Sequence, residues 1–390
     1  METTDQLSNF DDIRPFLDSE VPEAIEQLLA DEKFRKAVEP LVQPLSWEKF
    51  SAAMRSCKTV DNFQRNIIYP TVNRLIEKTT KELKGINWDN AENGASHLII
   101  SNHRDIVLDA AFLNMIMFAK MMDTTEIAIG DNLLIYPWIT TLVRLNRSFI
   151  VKRSVSMREM LQTSKHLSDY IHHTVTQRDQ SIWIAQREGR AKDSSDRTQT
   201  SLLKMLTLHN SSKPVETLQE LNIIPLAISY ELDPCDYLKA KEFQLKRDNL
   251  EYKKTPADDL ENMLTGINGY KGRVHFTFGN EISDRLKEVE GTKDKAAMLE
   301  FVAKTIDDEI YGNYAFFPFN YVAYDLMTDS QQFQSEYTGS DKLQFEQYVK
   351  GQIEKINIPD KDPVFLREKI IEMYGNTVKN QLSVSSLTAL

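Results

Sequence analysis

Between residues 98 and 122 the chain passes from an apolar run ending in Ser101-Asn102, through His103 and two carboxylates, Asp105 and Asp109, into a long apolar stretch. The run 98–100 predicts a strand and the stretch 110–122 predicts a helix. A strand that stops at a loop leading into a helix is where α/β proteins place reactive groups. His103 is therefore a candidate general base, with Asp105 or Asp109 a candidate orienter of its imidazole. The plainer alternative is a histidine packed at a strand end beside acids that cap the helix. No G-x-S-x-G elbow occurs, which argues against an α/β-hydrolase triad. A His–carboxylate pair without a protein nucleophile suits direct transfer, in which the base takes a proton from a substrate hydroxyl and that oxygen attacks an activated carbonyl.

Downstream the pattern alternates. Strands are predicted at 126–130, 149–151, 181–185, 222–230 and 273–278, with helical segments at 133–143, up to 176, and at 200–209 between them. This predicts an α/β fold: a mixed, mostly parallel sheet flanked by helices. Residues 1–85 read as an N-terminal helical region, with helices at 22–38 and 60–83 and Pro70 as a break or kink. Residues 86–286 form the expected catalytic domain, and 287–390 a helical C-terminal region. The stretch 233–259, interrupted by Pro234 and Pro256, predicts a helical insertion or an extended loop.

A net charge of −11 argues against nucleic acid as a partner. The charge is uneven. Residues 144–204 hold twelve Lys and Arg against six Asp and Glu, a local excess of six positive charges. A basic middle in an acidic chain suits an anionic substrate. Two cysteines, Cys57 and Cys235, without metal-ligand spacing fit a reducing compartment and buried thiols. The histidines lack ligand spacing, so no metal site is expected. The acidic start Met-Glu-Thr-Thr-Asp-Gln predicts no signal peptide, and no run of about 20 uncharged apolar residues predicts a transmembrane helix. A cytoplasmic chain is expected, with peripheral contact at the inner face of a membrane as an extension. The apolar segments 112–122 and 133–143 are read as core, with a minor reading as a membrane-facing or acyl-lining surface.

Four blocks occur in order: Asn102-His103-Arg104-Asp105-Ile106-Val107-Leu108-Asp109; Phe149-Ile150-Val151-Lys152-Arg153; Glu188-Gly189-Arg190-Ala191-Lys192; and Ile224-Pro225. Together they resemble the glycerol-3-phosphate and lysophosphatidate acyltransferase superfamily, which carries N-H-x4-D, F-I-x-R, E-G-x-R-S and V-P blocks in that order. The resemblance covers roughly 86–286. It departs at two points: five residues rather than four separate His103 from Asp109, and Arg190 follows Gly189 directly. On an ideal helix a residue six positions on lies about 240° away and one five positions on about 140°, so a turn must bring His and acid together. Asp109 is the preferred partner, and Asp105 the alternative across a tight turn.

The resemblance implies an acyltransferase of phospholipid synthesis. It would move a fatty acyl group from acyl-CoA or an acyl-carrier protein to glycerol 3-phosphate or its 1-acyl derivative, without metal or other cofactor. It implies that Arg153 and Arg190, with Lys152, Glu188 and Gly189, hold the acceptor phosphate, and that Pro225 lies near the acyl-donor pocket. Lys192 and Arg197 are weaker candidates. Asn102 either orients His103 or satisfies backbone groups, and the second is favoured. A non-phosphorylated lyso-lipid acceptor, or binding without turnover, are the alternatives.

Overall fold

A computed structural model describes residues 7–92, 94–153 and 155–385. The N-terminal hexapeptide discussed above lies outside them. Seven strands form one sheet: β1 Glu82–Ile86, β2 Leu98–Ser101, β3 Glu126–Gly130, β4 Ser148–Val151, β5 Ile182–Ala185, β6 Ile224–Tyr230 and β7 Arg273–Phe278. Their order is β1-β7-β6-β2-β5-β3-β4. Strands β2 to β6 run parallel, β7 pairs antiparallel with β6, and β1 runs parallel to β7. The mixed, mostly parallel sheet expected from the alternation is the one found, and its parallel strands end together at one edge.

Strand β2 lies in the middle and is buried on both faces. The two-residue period divides its side chains. Leu98 and Ile100 enter a core with Tyr170, Ile171, Leu203, Leu206, Val302 and Ile306. Ile99 enters the opposite core with Phe112, Leu113 and Ile116. A continuous apolar run is what a parallel strand covered on both faces requires. One helical layer therefore contains Met157–Thr176, Thr200–Leu206 and Lys295–Gly312, and the other contains Tyr69–Thr79 and Leu108–Ala119.

The N-terminal helices Val21–Ala30, Glu32–Val42 and Trp47–Ser56 build a separate core that reaches Leu145 and Trp138 on the helix Pro137–Leu145. Three helices end the chain, Pro318–Thr328, Gly339–Glu354 and Pro363–Ser385, around Phe345, Leu366 and Ile370. Asn376 and Asn380 in the last helix donate to the carbonyls of Asp193 and Ser194, so the tail supports the loop after β5.

Two expectations change. The helix read over 60–83 is a short turn Val60–Phe63, a π-helical segment Gln64–Ile68 and a helix Tyr69–Thr79 that has Pro70 in its first turn. The backbone stays helical from Val60 to Thr79, and the π-helical segment just before Pro70 is the local break expected at that proline. The following residues form β1, which crosses the boundary expected near 85. Gly85 permits this, because a Cβ there would sit 2.4 Å from Ile116 Cγ2. The insertion after β6 is two helices, Asp236–Asp248 and Pro256–Asn268. Phe112, Leu113 and Met117 are buried, so that helix is core rather than a lipid-facing surface. Both cysteines are buried. Among the described residues no helix is long and apolar enough to cross a membrane.

Candidate active site

After Ser101 the chain leaves the sheet, and Asn102 carries the pairing one rung further. Its side chain donates to the Ile228 carbonyl (2.9 Å) and accepts from the Ile228 N–H (2.8 Å), imitating a backbone partner of β6. Asn102 therefore serves the backbone and does not touch His103. The chain turns at 103–107 and enters the helix Leu108–Ala119, which carries Asp109 in its first turn.

The turn brings the two residues together. His103 Nδ1 donates to Asp109 Oδ2 at 2.8 Å. The same oxygen accepts the amides of Arg104 (2.6 Å) and Asp105 (3.0 Å). Asp109 is fully buried, whereas the His103 side chain keeps 13% of its surface exposed. Two backbone N–H groups and the positive end of a helix thus meet at the Asp109 carboxylate. A proton on Nδ1 leaves Nε2 as a base. Trp183 on β5 packs edge-on to the imidazole at 5.8 Å, and its indole N–H donates to Ser101 Oγ at 2.9 Å.

Asp105 has a different task. Its Oδ1 accepts the amides of Val107 (2.9 Å) and Leu108 (2.8 Å), which caps the helix. Burial, then the charge of Asp109, push its carboxyl up. Gly266 presses on it so closely that a Cβ would lie 2.0 Å from Asp105 Oδ2. Asp105 is thus not the partner of His103.

Arg104, absent from the sequence-based candidates, anchors the loop. It is buried, donates to Ser194 Oγ (2.7 Å) and to both oxygens of Asp196 (3.3 and 2.5 Å), and Asp196 also accepts from the Tyr314 hydroxyl (2.7 Å). This network ties the histidine loop to the loop after β5 and to the C-terminal region.

The basic residues divide. Arg190 donates to Asn262 Oδ1 (2.8 Å), while its buried Nη1 has no hydrogen-bond partner among the described residues. Arg187 Nε is likewise buried without a hydrogen-bond partner among the described residues. The Arg190 charge acts on Asp105 and on Asp233, the acid just beyond β6, so the guanidinium belongs to the surroundings of the 102–109 loop. Arg153, two residues beyond β4, is held by its amide on Asp131 Oδ1 (3.1 Å) and its guanidinium on Glu188 (3.3 Å). Gly189 has φ +66° with open space around its Cα, which suits a turn.

Lys152 points elsewhere: it pairs with Asp12 at 2.6 Å, where His166 also binds, and so ties the N-terminal segment to the end of β4. Arg144 donates to the carbonyls of Arg14 and Asp11, and Arg147 to Thr124 and Gln180. Lys192 is paired with Glu242, and Arg197 is exposed. Pro225, the second residue of β6, is buried level with Ile100. Asn262, Gly266 and Trp183 were not visible as site residues, since each gains its meaning from a contact distant in sequence. Arg104 had one available signal, its place beside His103.

A model of the Acyltransferase family matches residues 83–229, from the second residue of β1 to the penultimate residue of β6. A solved structure of the 1-acyl-sn-glycerophosphate (LPA) acyltransferase PlsC from Thermotoga maritima resembles the chain at 10% identity and a TM-score of 0.32, covering 72% of this chain and 96% of that one. No curated protein matches.

Proposed function

We propose that this chain, whose residues 83–229 match the Acyltransferase family model, is an acyltransferase that moves a fatty acyl group from a thioester to the hydroxyl of glycerol 3-phosphate or 1-acylglycerol 3-phosphate. The observation that carries the reading is the His103–Asp109 pair at the end of the central strand, with Nε2 free of hydrogen bonds among the described residues. Ser101 is no competing nucleophile, because it is fully buried and its hydroxyl donates to the Asn102 carbonyl.

In this mechanism His103 Nε2 takes the proton of the acceptor hydroxyl as its oxygen attacks the thioester carbonyl. Asp109 stabilises the imidazolium. The tetrahedral intermediate then collapses, the carbon–sulfur bond breaks, and the imidazolium returns its proton to the leaving thiolate. No acyl group passes through the protein. Arg190 and Arg153 hold the acceptor phosphate, for which Arg190 Nη1, without a hydrogen-bond partner among the described residues, is suited. The donor is an acyl-CoA or an acyl-carrier-protein thioester. Work at a bilayer surface belongs to this reading. Met157, Met160 and Leu161, exposed on the first turns of the helix after Arg153, suit such contact.

A non-phosphorylated lyso-lipid is the second reading, favoured by the acids around both cations: Glu188 on Arg153, and Asp105 with Asp233 near Arg190. Free-thiol release from palmitoyl-CoA and from an acyl-carrier-protein thioester, across phosphorylated and non-phosphorylated acceptors, separates the two. Release that needs a phosphorylated glycerol is expected. His103→Ala should lower it by about 10²–10⁴-fold. Equal rates for wild type and His103→Ala would remove His103 from the mechanism.

A further inference from the structure

Asp109 uses its two carboxylate oxygens differently. Oδ2 accepts from His103, Arg104 and Asp105, whereas the buried Oδ1 meets no donor at strict hydrogen-bond geometry among the described residues. Leaving such an acceptor unsatisfied is destabilising. The buried Tyr230 hydroxyl likewise meets no partner at strict hydrogen-bond geometry among the described residues, yet Asp109 lies close enough to act on it as a hydrogen-bonding neighbour.

Tyr230 ends β6. Alternation along that strand places Leu226, Ile228 and Tyr230 on the face covered by the helix Leu108–Ala119, which is the helix that carries Asp109. The Tyr230 ring stacks on Phe112 of that helix, 6.4 Å between centroids and 29° between planes. Asn102 locks β6 to the histidine loop two residues away, at Ile228. Strand and helix together thus set the hydroxyl beside the carboxylate. Burial, then the Asp109 charge, keep the phenol protonated and so a donor.

We propose that Tyr230 is a positioning residue for the transfer: its hydroxyl donates to Asp109 Oδ1 and fixes the rotation at which Oδ2 faces His103. This rests on the reading of His103 as the base. The bond also draws negative charge away from the imidazole. Its loss concentrates that charge on Oδ2, stabilises the imidazolium and raises the pH at which His103 titrates. The other charges around the pair come from several elements: Arg104 and Asp105 in the loop, Asp233 beyond β6, Arg190 after β5, and Lys271 before β7, which acts on Asp105. All of them remain in Tyr230→Phe, so that variant isolates the hydroxyl.

The test is an NMR titration of the His103 ring in the substrate-free protein, wild type against Tyr230→Phe. The midpoint should rise by about half a pH unit, and the acid limb of the kcat/KM profile should move the same way. In an Asp109→Asn background the Tyr230→Phe shift should vanish. Replacing Tyr230 with 3-fluorotyrosine, a stronger donor of nearly the same shape, should lower the midpoint, and it serves if the phenylalanine variant folds poorly. A folded Tyr230→Phe protein with an unmoved midpoint, even with a lower Tm, overturns the proposal. The titration needs no acceptor, so failure of acyl transfer with every acceptor would count against the proposed function and leave this result readable.

Discussion

The histidine loop and the Arg153 loop open on the same edge of the sheet but are built differently. His103 follows β2, the central strand, which has a neighbour on each side. Around it Asn102 extends the pairing, three groups share Asp109 Oδ2, and Arg104 is held on Asp196. Arg153 follows β4, the outermost strand, and its guanidinium pairs with a Glu188 carboxylate that is 70% exposed. Exposed pairs of this kind hold weakly and exchange with water. The centre of the sheet thus holds the groups whose geometry must not drift, and the rim holds charge that can rearrange around a ligand.

The largest expected effect that would break this contrast is at Asp109. Asp109→Asn should lower thiol release about 10³–10⁴-fold, because the imidazole loses both its tautomer and its counter-charge. A loss below tenfold would reduce Asp109 to a helix cap. Next comes the anchor. Arg104→Met leaves Asp196 buried without its cation and should cost about 3–5 kcal/mol in urea unfolding. A cost under about 1 kcal/mol would mean that the loop is held by its amides alone.

The contrast sharpens on the two cations. Arg190→Gln should raise the acceptor KM by about tenfold or more, and Arg153→Gln by less, since its partner is exposed and salt screens it. The opposite order would move the phosphate site to the rim.

The smallest effect lies behind the site. Asp307 accepts from the Thr198 amide and hydroxyl, and burial pushes its carboxyl up to about 7. With a raised folded value the native state holds more protons than the unfolded chain between roughly pH 4 and 7, so stability falls as pH rises through that window. Asp307→Asn keeps an acceptor for Thr198. It should flatten this slope and raise stability at pH 8 relative to wild type, read from urea midpoints across pH. A variant that keeps the wild-type slope would place the titration elsewhere.

Much of the sheet could be read from the chain because its strands are buried on both faces and carry unbroken apolar runs, as at 98–100 and 182–184. Strand β1 could not. Glu-Leu-Lys-Gly-Ile has neither a run nor a clean alternation, and it is a strand because β7 pairs with it and Gly85 admits Ile116. Lys152 and Arg153 look alike in sequence. An acid from Asp12, far back in the chain, claims one and leaves the other at the rim.

The sequence by itself determined the alternation that makes an α/β sheet, the order of the four blocks, and the short list that held His103 and its two acids. Those are properties of nearest neighbours and of periods of two and 3.6 residues. Only the tertiary structure decided that Asp109 rather than Asp105 meets the imidazole. Helical geometry denies both a direct approach, and the choice falls to two loop amides that converge on one oxygen while Asp105 caps the helix. Tertiary structure also supplied Arg104 on Asp196, Trp183 on His103 and Tyr230 on Phe112, contacts between residues far apart along the chain. A buried charge or hydroxyl needs a partner, and which partner it finds depends on how distant elements pack.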